Sequence, residues 1–336
     1  MNTKSEYVKG LCSIVCLGYK HAVFVKSCIE SLWKQSYRHI EIIAVDDGSG
    51  DGTVDILKGL KQQSPCPFII LDQENTGNVG MNFNRGVAEA SGEFISVMSM
   101  DDMLYPQALA EKVEIFEKDP SCTFVANSKI TAVDDNGETV DGLPPLDLDT
   151  VENPTVDDLI WAERDRLGAF YIQGSLFKRE IVDAVGGFDE DMTGDDIILR
   201  TKVFLYLKKH PELSFRILHT PSCFYRRHGD NISSNEIRQL KIVSEYYDRY
   251  WPDTPYPDVF MGWIGSAISN NDVFKVLSVF SFSKRMADLL KDEKIRNILI
   301  EKACNENRSW GWYVFRIQRK GKKRKVVIFN FIKFSL

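Results

Sequence analysis

Residues 40–53 have the sequence IEIIAVDDGSGDGT, and this stretch decides the fold. Ile40 to Val45 is a short, continuous apolar run, which is typical of a strand buried on both faces of a parallel sheet. The run stops at Asp46-Asp47-Gly48-Ser49, where Asp, Gly and Ser favour a turn. Helical spacing begins at Thr53, so the stretch predicts a strand, a tight turn and a helix.

The same alternation of strand and helix continues on both sides of this stretch. It begins with the apolar run LCSIVCL at 11–17 and continues to a strand at 122–127. This order predicts an α/β fold in which helices flank a mostly parallel, Rossmann-like sheet with right-handed crossovers. The expected strands are 11–17, 40–45, 68–71, 93–98 and 122–127, and the expected helices are 22–35, 53–62, 81–90 and 108–118.

The alternation breaks after residue 127. Residues 134–158 are rich in acidic residues and contain prolines, so we expect a long loop there. The expected elements beyond it are a strand at 169–177, a helix at 197–208, short strands at 215–218 and 222–226, and helices from 237 onward. We therefore expect three parts: a main domain at 1–235, a helical extension at 236–306 and a basic, aromatic tail at 307–336.

Two of the predicted strands end in paired carboxylates, Asp46-Asp47 and Asp101-Asp102. In open α/β sheets, ligands bind beyond the carboxyl ends of the strands. Two acidic pairs at one edge repel each other unless a cation or a ligand rich in hydrogen-bond donors lies between them. The sequence therefore predicts a polar ligand site at this edge.

The charge is unevenly distributed. The chain has a net charge of −6, yet residues 307–336 contain nine Lys and Arg residues and no acidic residue. The rest of the chain is therefore strongly acidic, which argues against nucleic-acid binding by the main domain.

Four motifs in a fixed order carry a family resemblance. They are the strand and helix at 13–37 (SIVCLGYK through CIESLWKQSY), VDDGSGDGT at 45–53, the Asn- and Gly-rich run at 75–86 followed by GEFI at 92–95, and GGFDE at 186–190. Together they resemble the family 2 glycosyltransferases, which use nucleotide-diphospho-sugars and have a GT-A fold. The resemblance covers about residues 11–235.

The resemblance implies a pocket for a nucleotide diphosphate sugar. Tyr19 lies just past the first strand and offers a flat face to a pyrimidine, and Asp47 can accept a hydrogen bond from the base. Asp47 alternatively only starts a turn before Gly48, a role that Asp46 can also fill. Donor contacts are expected from Leu17, Tyr19, Asp46, Asp47, Asn75, Asn84, Asp101, Arg226 and His228.

A divalent metal, Mg²⁺ or Mn²⁺, is also implied, because it would bridge the phosphates and neutralise the leaving group. The common family pattern is Asp-x-Asp-Asp, whereas this chain has Ser99-Met100-Asp101-Asp102. We expect Asp102 to be the main metal ligand, Asp101 to contact ribose or sugar and also to lie near the metal, and His228 to supply a further ligand. The alternative is that the Asp pair only caps a helix.

TGDDIILR at 193–200 lies where the family has its ED-x-D-L-x-x-R string, whose carboxylate removes the proton from the acceptor hydroxyl. Matching the Gly-Asp pair makes Asp195 the catalytic base. Counting back from Arg200 instead points to Asp196, which stays a rival. Either residue can alternatively serve only as a first-turn acid that complements the helix dipole.

The resemblance implies an inverting transferase that moves a sugar, from a UDP-sugar by expectation, to a saccharide acceptor. Similarity to enzymes of surface-polysaccharide synthesis, such as O-antigen or capsule, suggests that the acceptor is lipid-linked. One alternative is a GT-A-like binding or scaffold protein without turnover, which the loss of the first Asp at Ser99 allows. Another is a sugar-nucleotide pyrophosphorylase, although residues 11–20 lack the Gly-rich, basic signature that it needs.

The tail has the composition of a surface anchor. Seven of the ten residues at 316–325 are Lys or Arg, between the apolar runs SWGWYVF at 309–315 and VVIFNFIKF at 326–334. Neither run is long enough to span a bilayer, but basic residues beside aromatic ones suit an interfacial anchor. We expect a cytoplasmic enzyme that binds the anionic inner face of the cell membrane through 309–334. The alternative is that these apolar residues pack on the main domain.

Overall fold

The buried apolar runs of the first hundred residues form the parallel half of an eight-stranded sheet. The computed structural model describes residues 7–141, 145–229, 231–307, 315–320, 323–328 and 332–335. Its first long strands are β1 (Val8–Gly18), β2 (Ile40–Asp46), β3 (Phe68–Asp72) and β4 (Gly92–Ser99), and the helices between them are α1 (Val25–Trp33), α2 (Thr53–Lys61) and α3 (Val79–Glu89). These strands are parallel, as predicted, and their spatial order is β3-β2-β1-β4.

The second half of the sheet is mixed. It contains β5 (Met103–Leu104), β6 (Cys122–Val133), β7 (Tyr171–Lys178) and β8 (Ser214–Arg226), with α4 (Ala108–Lys118) before β6. β7 lies between β4 and β6 and is antiparallel to both, whereas β8 is parallel to β6 and antiparallel to β5. The two short strands expected at 215–218 and 222–226 are a single strand, because β8 continues through shifts in its register with β6.

The segment predicted as a loop at 134–158 ends in a helix. A short 3₁₀ helix spans Asp147–Thr150, and α5 spans Val156–Arg166. Thr155 begins α5 with a reciprocal cap: its hydroxyl accepts from the Asp158 amide, and the Asp158 carboxylate accepts from the Thr155 amide. The loop prediction is wrong there because the many acids and prolines concealed this Thr-x-x-Asp capping signal.

The alternation of side chains along β1 divides the core into two layers. Ile14 and Cys16 face a layer formed with α1, α2 and α4. Val15 faces the opposite layer, which is formed with α3, α5, α6 (Arg179–Ala184) and α7 (Asp196–Lys209). Because all three side chains are fully buried, polar groups concentrate at the strand ends.

The region from 236 to 307 is largely helical, as predicted. Its helices are α8 (Glu236–Tyr250), α9 (Asp258–Asn270), α10 (Val273–Val279), α11 (Lys284–Asp288) and α12 (Glu293–Asn307). Contacts divide the chain into two units, 1–261 and 262–336. α8 packs within the first unit, where the Tyr246 hydroxyl lies 2.9 Å from the Thr201 hydroxyl and Tyr247 donates to the Arg164 carbonyl. The boundary expected after residue 235 therefore falls inside the first unit.

The tail forms a small antiparallel sheet in its described part. Its strands are β9 (Phe315–Lys320), β10 (Lys323–Ile328) and β11 (Ile332–Ser335), and most of the aromatic run at 309–315 lies outside the described residues. Pairing aligns Ile317, Val326 and Phe334 in one row and Arg316, Val327 and Lys333 in the next. Rows of apolar residues thus alternate with rows that carry basic residues. Among the described residues, no helix has the length and apolar character needed to cross a membrane.

Gly86 tests how closely α3 packs on the sheet. A Cβ atom at position 86 would lie 2.3 Å from Val15 Cγ1 and 3.0 Å from Val45 Cγ2. We expect Gly86→Ala to lower the free energy of unfolding in urea by about 1–3 kcal/mol, because overpacking outweighs the gain in helix propensity. Gly59→Ala in α2 is the control, since a Cβ there meets nothing within 4 Å, and it should raise stability by about 0.5–1 kcal/mol. Equal effects of the two substitutions would contradict the close packing of α3.

Candidate active site

The strands that precede the predicted site residues end at the same edge of the sheet. β1, β2 and β4 are parallel, and β6 and β8 run in the same direction because β7 is antiparallel to both β4 and β6. The residues that follow these strand ends, Tyr19, Asp47, Asp101 and Arg226, therefore gather at one edge, as the strand-end argument predicts.

Asp101, His228 and His21 form a cluster at this edge. One ligand atom of each residue lies within 4.8 Å of the others. His228 Nε2 is 3.0 Å from Asp101 Oδ2, and His21 Nε2 is 3.8 Å from the same oxygen. His21 Nδ1 and Asp101 Oδ1 are buried without a hydrogen-bond partner, which is rare for buried polar atoms. Two imidazoles, one carboxylate and unpaired polar atoms fit a divalent cation.

Asp102, the residue expected to be the main metal ligand, is not part of this cluster. Its side chain is only 1% exposed, and its Oδ1 accepts a hydrogen bond of 2.9 Å from the Arg226 amide. Burial and the neighbouring Asp101 carboxylate raise the pKa of Asp102 well above its ordinary value. Asp102 Oδ2 is nevertheless buried without a hydrogen-bond partner, as Asp101 Oδ1 is, so Asp102 stays a predicted metal ligand beside Asp101.

Arg226, which was expected to contact the donor, is engaged inside the protein. Its side chain is buried, and Nε donates to the Asp101 carbonyl at 2.9 Å. Nη1 donates to the carbonyls of Asp134 and Asp135, each at 2.8 Å, and the guanidinium lies 4.8 Å from the Phe24 ring centre. Arg226 therefore fixes the backbone beside the cluster, and its contact with the donor stays a prediction.

Asp47 organises the loop that follows β3. Its Oδ1 accepts from the amide and hydroxyl of Thr76 and from Gln73, and its Oδ2 accepts from the Gly77 amide at 3.0 Å. Burial alone would raise the pKa of Asp47, but these hydrogen bonds outweigh it and lower the pKa. Asn75, also expected at the donor, is exposed and donates to the Asp47 carbonyl at 2.7 Å. Asp47 thus does more than start a turn. Its Oδ2 accepts one hydrogen bond from the protein and can accept another from a ligand.

Asp46 and Asn84 have structural partners that occupy their polar atoms. Asp46 is fully buried, and its two oxygens accept from the amide and hydroxyl of Ser49. Asn84 accepts from the Phe188 amide and donates to the Phe188 carbonyl, each at 2.9 Å, and it also donates to Glu190. Both were expected to contact the donor; the structure instead uses Asp46 to form the turn after β2 and Asn84 to hold the GGFDE turn.

Tyr19 and Leu17, the two predicted donor contacts around the end of β1, differ in accessibility. The Tyr19 side chain is 42% exposed, and Lys20 Nζ lies 5.1 Å from its ring centre. Leu17 packs against the core, and its carbonyl accepts from the Met100 amide at 2.8 Å. Tyr19 therefore presents a ring surface to solvent at the strand edge, whereas Leu17 mainly joins β1 to the segment after β4.

The start of α7 holds two carboxylates in different states. Burial and the Asp196 carboxylate raise the pKa of Asp195 to about 7. Burial would also raise the pKa of Asp196, but the Arg200 guanidinium, 2.6 Å away, outweighs it and lowers the pKa. Arg200 is itself buried and paired with the fully buried Glu163 through two hydrogen bonds of 2.8 and 2.9 Å. Asp195 can therefore take up a proton near neutral pH, which Asp196 does poorly.

Tyr225 is within electrostatic range of both groups. Burial raises the pKa of its hydroxyl to about 12, and the negative charges of Asp102, Asp101 and Asp196 add to this effect. Such charges act over short distances within a protein, so the candidate cation site and the start of α7 both influence this one side chain.

The fold and the site define an α/β protein with a candidate cation site at the carboxyl ends of its parallel strands. Residues 13–184, just over half of the chain, match the family model described as Glycosyl transferase family 2. The chain therefore belongs to glycosyltransferase family 2. This finding confirms the predicted family, fold class and type of enzyme.

Comparisons with individual proteins agree with this assignment. The chain is 28% identical over 209 residues to a poly-beta-1,6-N-acetyl-D-glucosamine synthase of Staphylococcus epidermidis, an alignment that covers 60% of this chain and 48% of that protein. The structure of S. aureus TarS 1-349 in complex with UDP-GlcNAc has a TM-score of 0.58 at 17% identity. The match covers 95% of this chain and 97% of the TarS chain. The mannosyltransferase PcManGT of Pyrobaculum calidifontis, solved with GDP-Man and Mn²⁺, has a TM-score of 0.52 at 16% identity. The match covers 89% of this chain and 87% of PcManGT. The two structures support the fold.

Sequence reasoning missed two residues of the site, His21 and Glu163. His21 follows β1, and β1 is the neighbour of β4, which leads into Asp101. The sequence did contain a signal for His21: a histidine follows β1, and an aspartate, Asp101, follows the neighbouring strand β4. Glu163 lies in α5, of which the sequence analysis assigned only the first three residues to a loop and left the rest unassigned, so no signal pointed to its pairing with Arg200.

Glu163→Gln tests the buried network behind Asp196. The substitution leaves the Arg200 guanidinium with one carboxylate instead of two in a buried site. We expect it to lower the free energy of unfolding by about 3 kcal/mol in urea denaturation. Asp165→Asn is the matched control, because Asp165 and its partner Arg164 are about one-third exposed, and the loss should be below about 1 kcal/mol. A similar small loss for both would show that the network is not important for stability.

Proposed function

We propose that this enzyme transfers a sugar from a UDP-sugar to a saccharide acceptor with inversion at the anomeric carbon. The observation that carries the proposal is the cluster of Asp101, His228 and His21 at the strand ends. A nucleotide diphosphate needs a cationic centre, and an acceptor hydroxyl needs a base that is unprotonated near neutral pH. The cluster can supply the first, and the Asp195 carboxyl, with a pKa of about 7, can supply the second.

Asp195 is the proposed base. It accepts the proton of the acceptor hydroxyl while the hydroxyl oxygen forms a bond to the anomeric carbon. On the opposite face, the bond from that carbon to the diphosphate oxygen breaks, and UDP leaves with both electrons. Asp196 stays ionised beside Arg200, and its charge helps to keep the pKa of Asp195 near 7. Asp196 is the less suitable base because its proton affinity is low.

Asp101 and His228 would hold the divalent metal, Mg²⁺ or Mn²⁺. When bound, such an ion neutralises the charge that develops on the leaving diphosphate. The buried, unpaired Asp101 Oδ1 supports this role, as does the Mn²⁺ bound by the structurally similar PcManGT. Asp102 lies beside this site, where its Oδ1 accepts from the Arg226 amide and its buried Oδ2 has no hydrogen-bond partner.

Tyr19 and Asp47 are the proposed contacts for the nucleobase. The Tyr19 ring is partly exposed at the end of β1 and can stack on a pyrimidine. Asp47 Oδ2 accepts one protein hydrogen bond, from Gly77, and can accept another from a base N–H. A uridine nucleotide agrees with the UDP-GlcNAc bound to TarS, whereas PcManGT was solved with GDP-Man.

Release of UDP tests this function. We expect the full-length protein to release UDP from one of a panel of UDP-sugars, with Mg²⁺ or Mn²⁺ and a saccharide acceptor. Asp195→Asn should lower kcat by about 10²–10⁴-fold while UDP still binds, because only the proton acceptor is lost. The rate should rise with pH through about 7, since Asp195 acts when deprotonated, and then level off.

Asp196→Asn is the matched variant for this experiment. It removes the negative charge that raises the pKa of Asp195, so the rising limb of the pH profile should move to lower pH. An inactive Asp196→Asn beside an active Asp195→Asn would make Asp196 the base. Nucleotide binding without turnover would favour a binding protein, and formation of sugar nucleotide from sugar phosphate and UTP would favour a pyrophosphorylase.

The proposed acceptor is lipid-linked, in the synthesis of a surface polysaccharide such as O-antigen or capsule. The similarity to a poly-beta-1,6-N-acetyl-D-glucosamine synthase supports polysaccharide synthesis. The tail supports a place at the cytoplasmic face of the membrane, because its paired strands alternate rows of apolar residues with rows that carry Lys or Arg. Such a sheet suits an anionic lipid surface.

Flotation with vesicles tests the tail. We expect the full-length protein to float with anionic phosphatidylserine vesicles at low salt. It should not float when the vesicles are neutral. Replacing Lys320, Lys322, Lys323 and Lys325 by Gln should abolish flotation, since each basic residue near the surface contributes about 1 kcal/mol. A matched set of Gln substitutions at Lys58, Lys61, Lys118 and Lys129 should have no effect. Equal flotation of both variants would exclude the tail as the anchor.

A further inference from the structure

His21 has no role in the family resemblance, yet it lies beside the proposed metal ligands. Its Nε2 is 3.8 Å from Asp101 Oδ2, and its ring centre is 6.2 Å from that of His228. A divalent ion with ligand distances of about 2.0–2.2 Å places adjacent ligand atoms about 3 Å apart and opposite ones about 4 Å apart. The spacing in the cluster, within 4.8 Å throughout, is close to what one shared ion requires.

The protein holds His21 in place from both sides. Lys20, the residue before it, has a left-handed backbone with φ of 59°, and its amide donates to Ser49 Oγ at 2.8 Å. The Ala22 amide donates to Asp51 Oδ2 at 3.1 Å. The loop after β1 is thus fastened to the loop after β2, and a strained backbone at a non-glycine residue is typical of a functional site.

The surroundings of His21 favour a cation over a purely structural role. Its Nε2 is 3.8 Å from Asp101 Oδ2, too far for a hydrogen bond, and Asp101 Oδ1 is buried without a hydrogen-bond partner. A purely structural cluster would leave Asp101 Oδ1 unsatisfied, whereas a bound cation would satisfy it. Position 99, where the resemblance expects the first carboxylate, is Ser99 and offers no charge. The chain therefore has one carboxylate fewer in this motif and one imidazole more in the cluster.

We propose that His21 is a third protein ligand of the metal, and that the resulting set of two histidines and one aspartate selects Mn²⁺ or Co²⁺ over Mg²⁺. Mg²⁺ prefers oxygen ligands in an octahedron, whereas imidazole suits transition ions. Replacing a carboxylate by an imidazole therefore shifts the preference of the site. This inference rests on the proposed function for the position of the metal. It adds a third protein ligand and an order of affinities among the metal ions.

Metal binding without turnover tests the inference. Mn²⁺, Co²⁺ and Mg²⁺ are titrated into the full-length protein, alone and with saturating UDP, and followed by calorimetry and by the electron paramagnetic resonance of free Mn²⁺. We expect Mn²⁺ and Co²⁺ to bind about 10-fold or more tightly than Mg²⁺. His21→Ala should weaken Mn²⁺ and Co²⁺ binding by about 10-fold or more and change the visible spectrum of bound Co²⁺. Its effect on Mg²⁺ should be smaller.

Two further variants make the result specific. His210→Ala is the matched control, because His210 is exposed and pairs with Glu212, so metal binding should not change. His21→Asp should move the preference toward Mg²⁺ by restoring a second carboxylate. Unchanged Mn²⁺ affinity in a folded His21→Ala, or no metal binding by the wild type with or without UDP, overturns the inference. Binding through His21 without any UDP-sugar turnover supports it and overturns only the proposed function.

Discussion

The hydrogen bonds of Arg226 are the constraint on which the rest of the site depends. Arg226 ends β8, and its buried side chain binds the carbonyls of Asp101, Asp134 and Asp135. Its amide binds the Asp102 carboxylate. A single residue thus joins the ends of three strands, β4, β6 and β8, at the edge where the ligand site lies. The cluster around Asp101 owes its geometry to this cation, which itself needs no contact with a ligand.

The first half of the fold follows from local patterns, whereas the second half does not. The apolar runs in β1, β2 and β4 are buried on both faces, and such runs specify parallel strands by themselves. β7 has a comparable apolar pattern, but its antiparallel insertion between β4 and β6 is decided by tertiary packing. α5 was missed because its composition resembles a loop and its burial depends on contacts distant in sequence, such as that of Glu163 with Arg200.

The sequence predicts well at which edge of the sheet the site lies. It predicts less well which polar residues there contact a ligand and which contact the protein. Strand ends identify Asp47 and Asp101, because parallel strands direct their carboxyl ends to one edge. Whether a side chain there faces a ligand or the protein depends on partners that are far apart in sequence. The side chain of Asn84, for example, forms hydrogen bonds with the backbone of Phe188, which is more than a hundred residues away in sequence. The same is true of the raised pKa of Asp195, which arises from burial that no motif records.

The short loop after β1 has a thermodynamic consequence. Tyr19 and His21 are separated by one residue, and that residue, Lys20, has a fixed left-handed backbone bound to Ser49. If the base contacts Tyr19 and the cation contacts His21, then this fastened loop ties the position of one contact to the position of the other. Such coupling is reciprocal, so nucleotide must increase cation affinity by the same factor by which the cation increases nucleotide affinity. The loop would therefore make the two ligands bind cooperatively even without any contact between them.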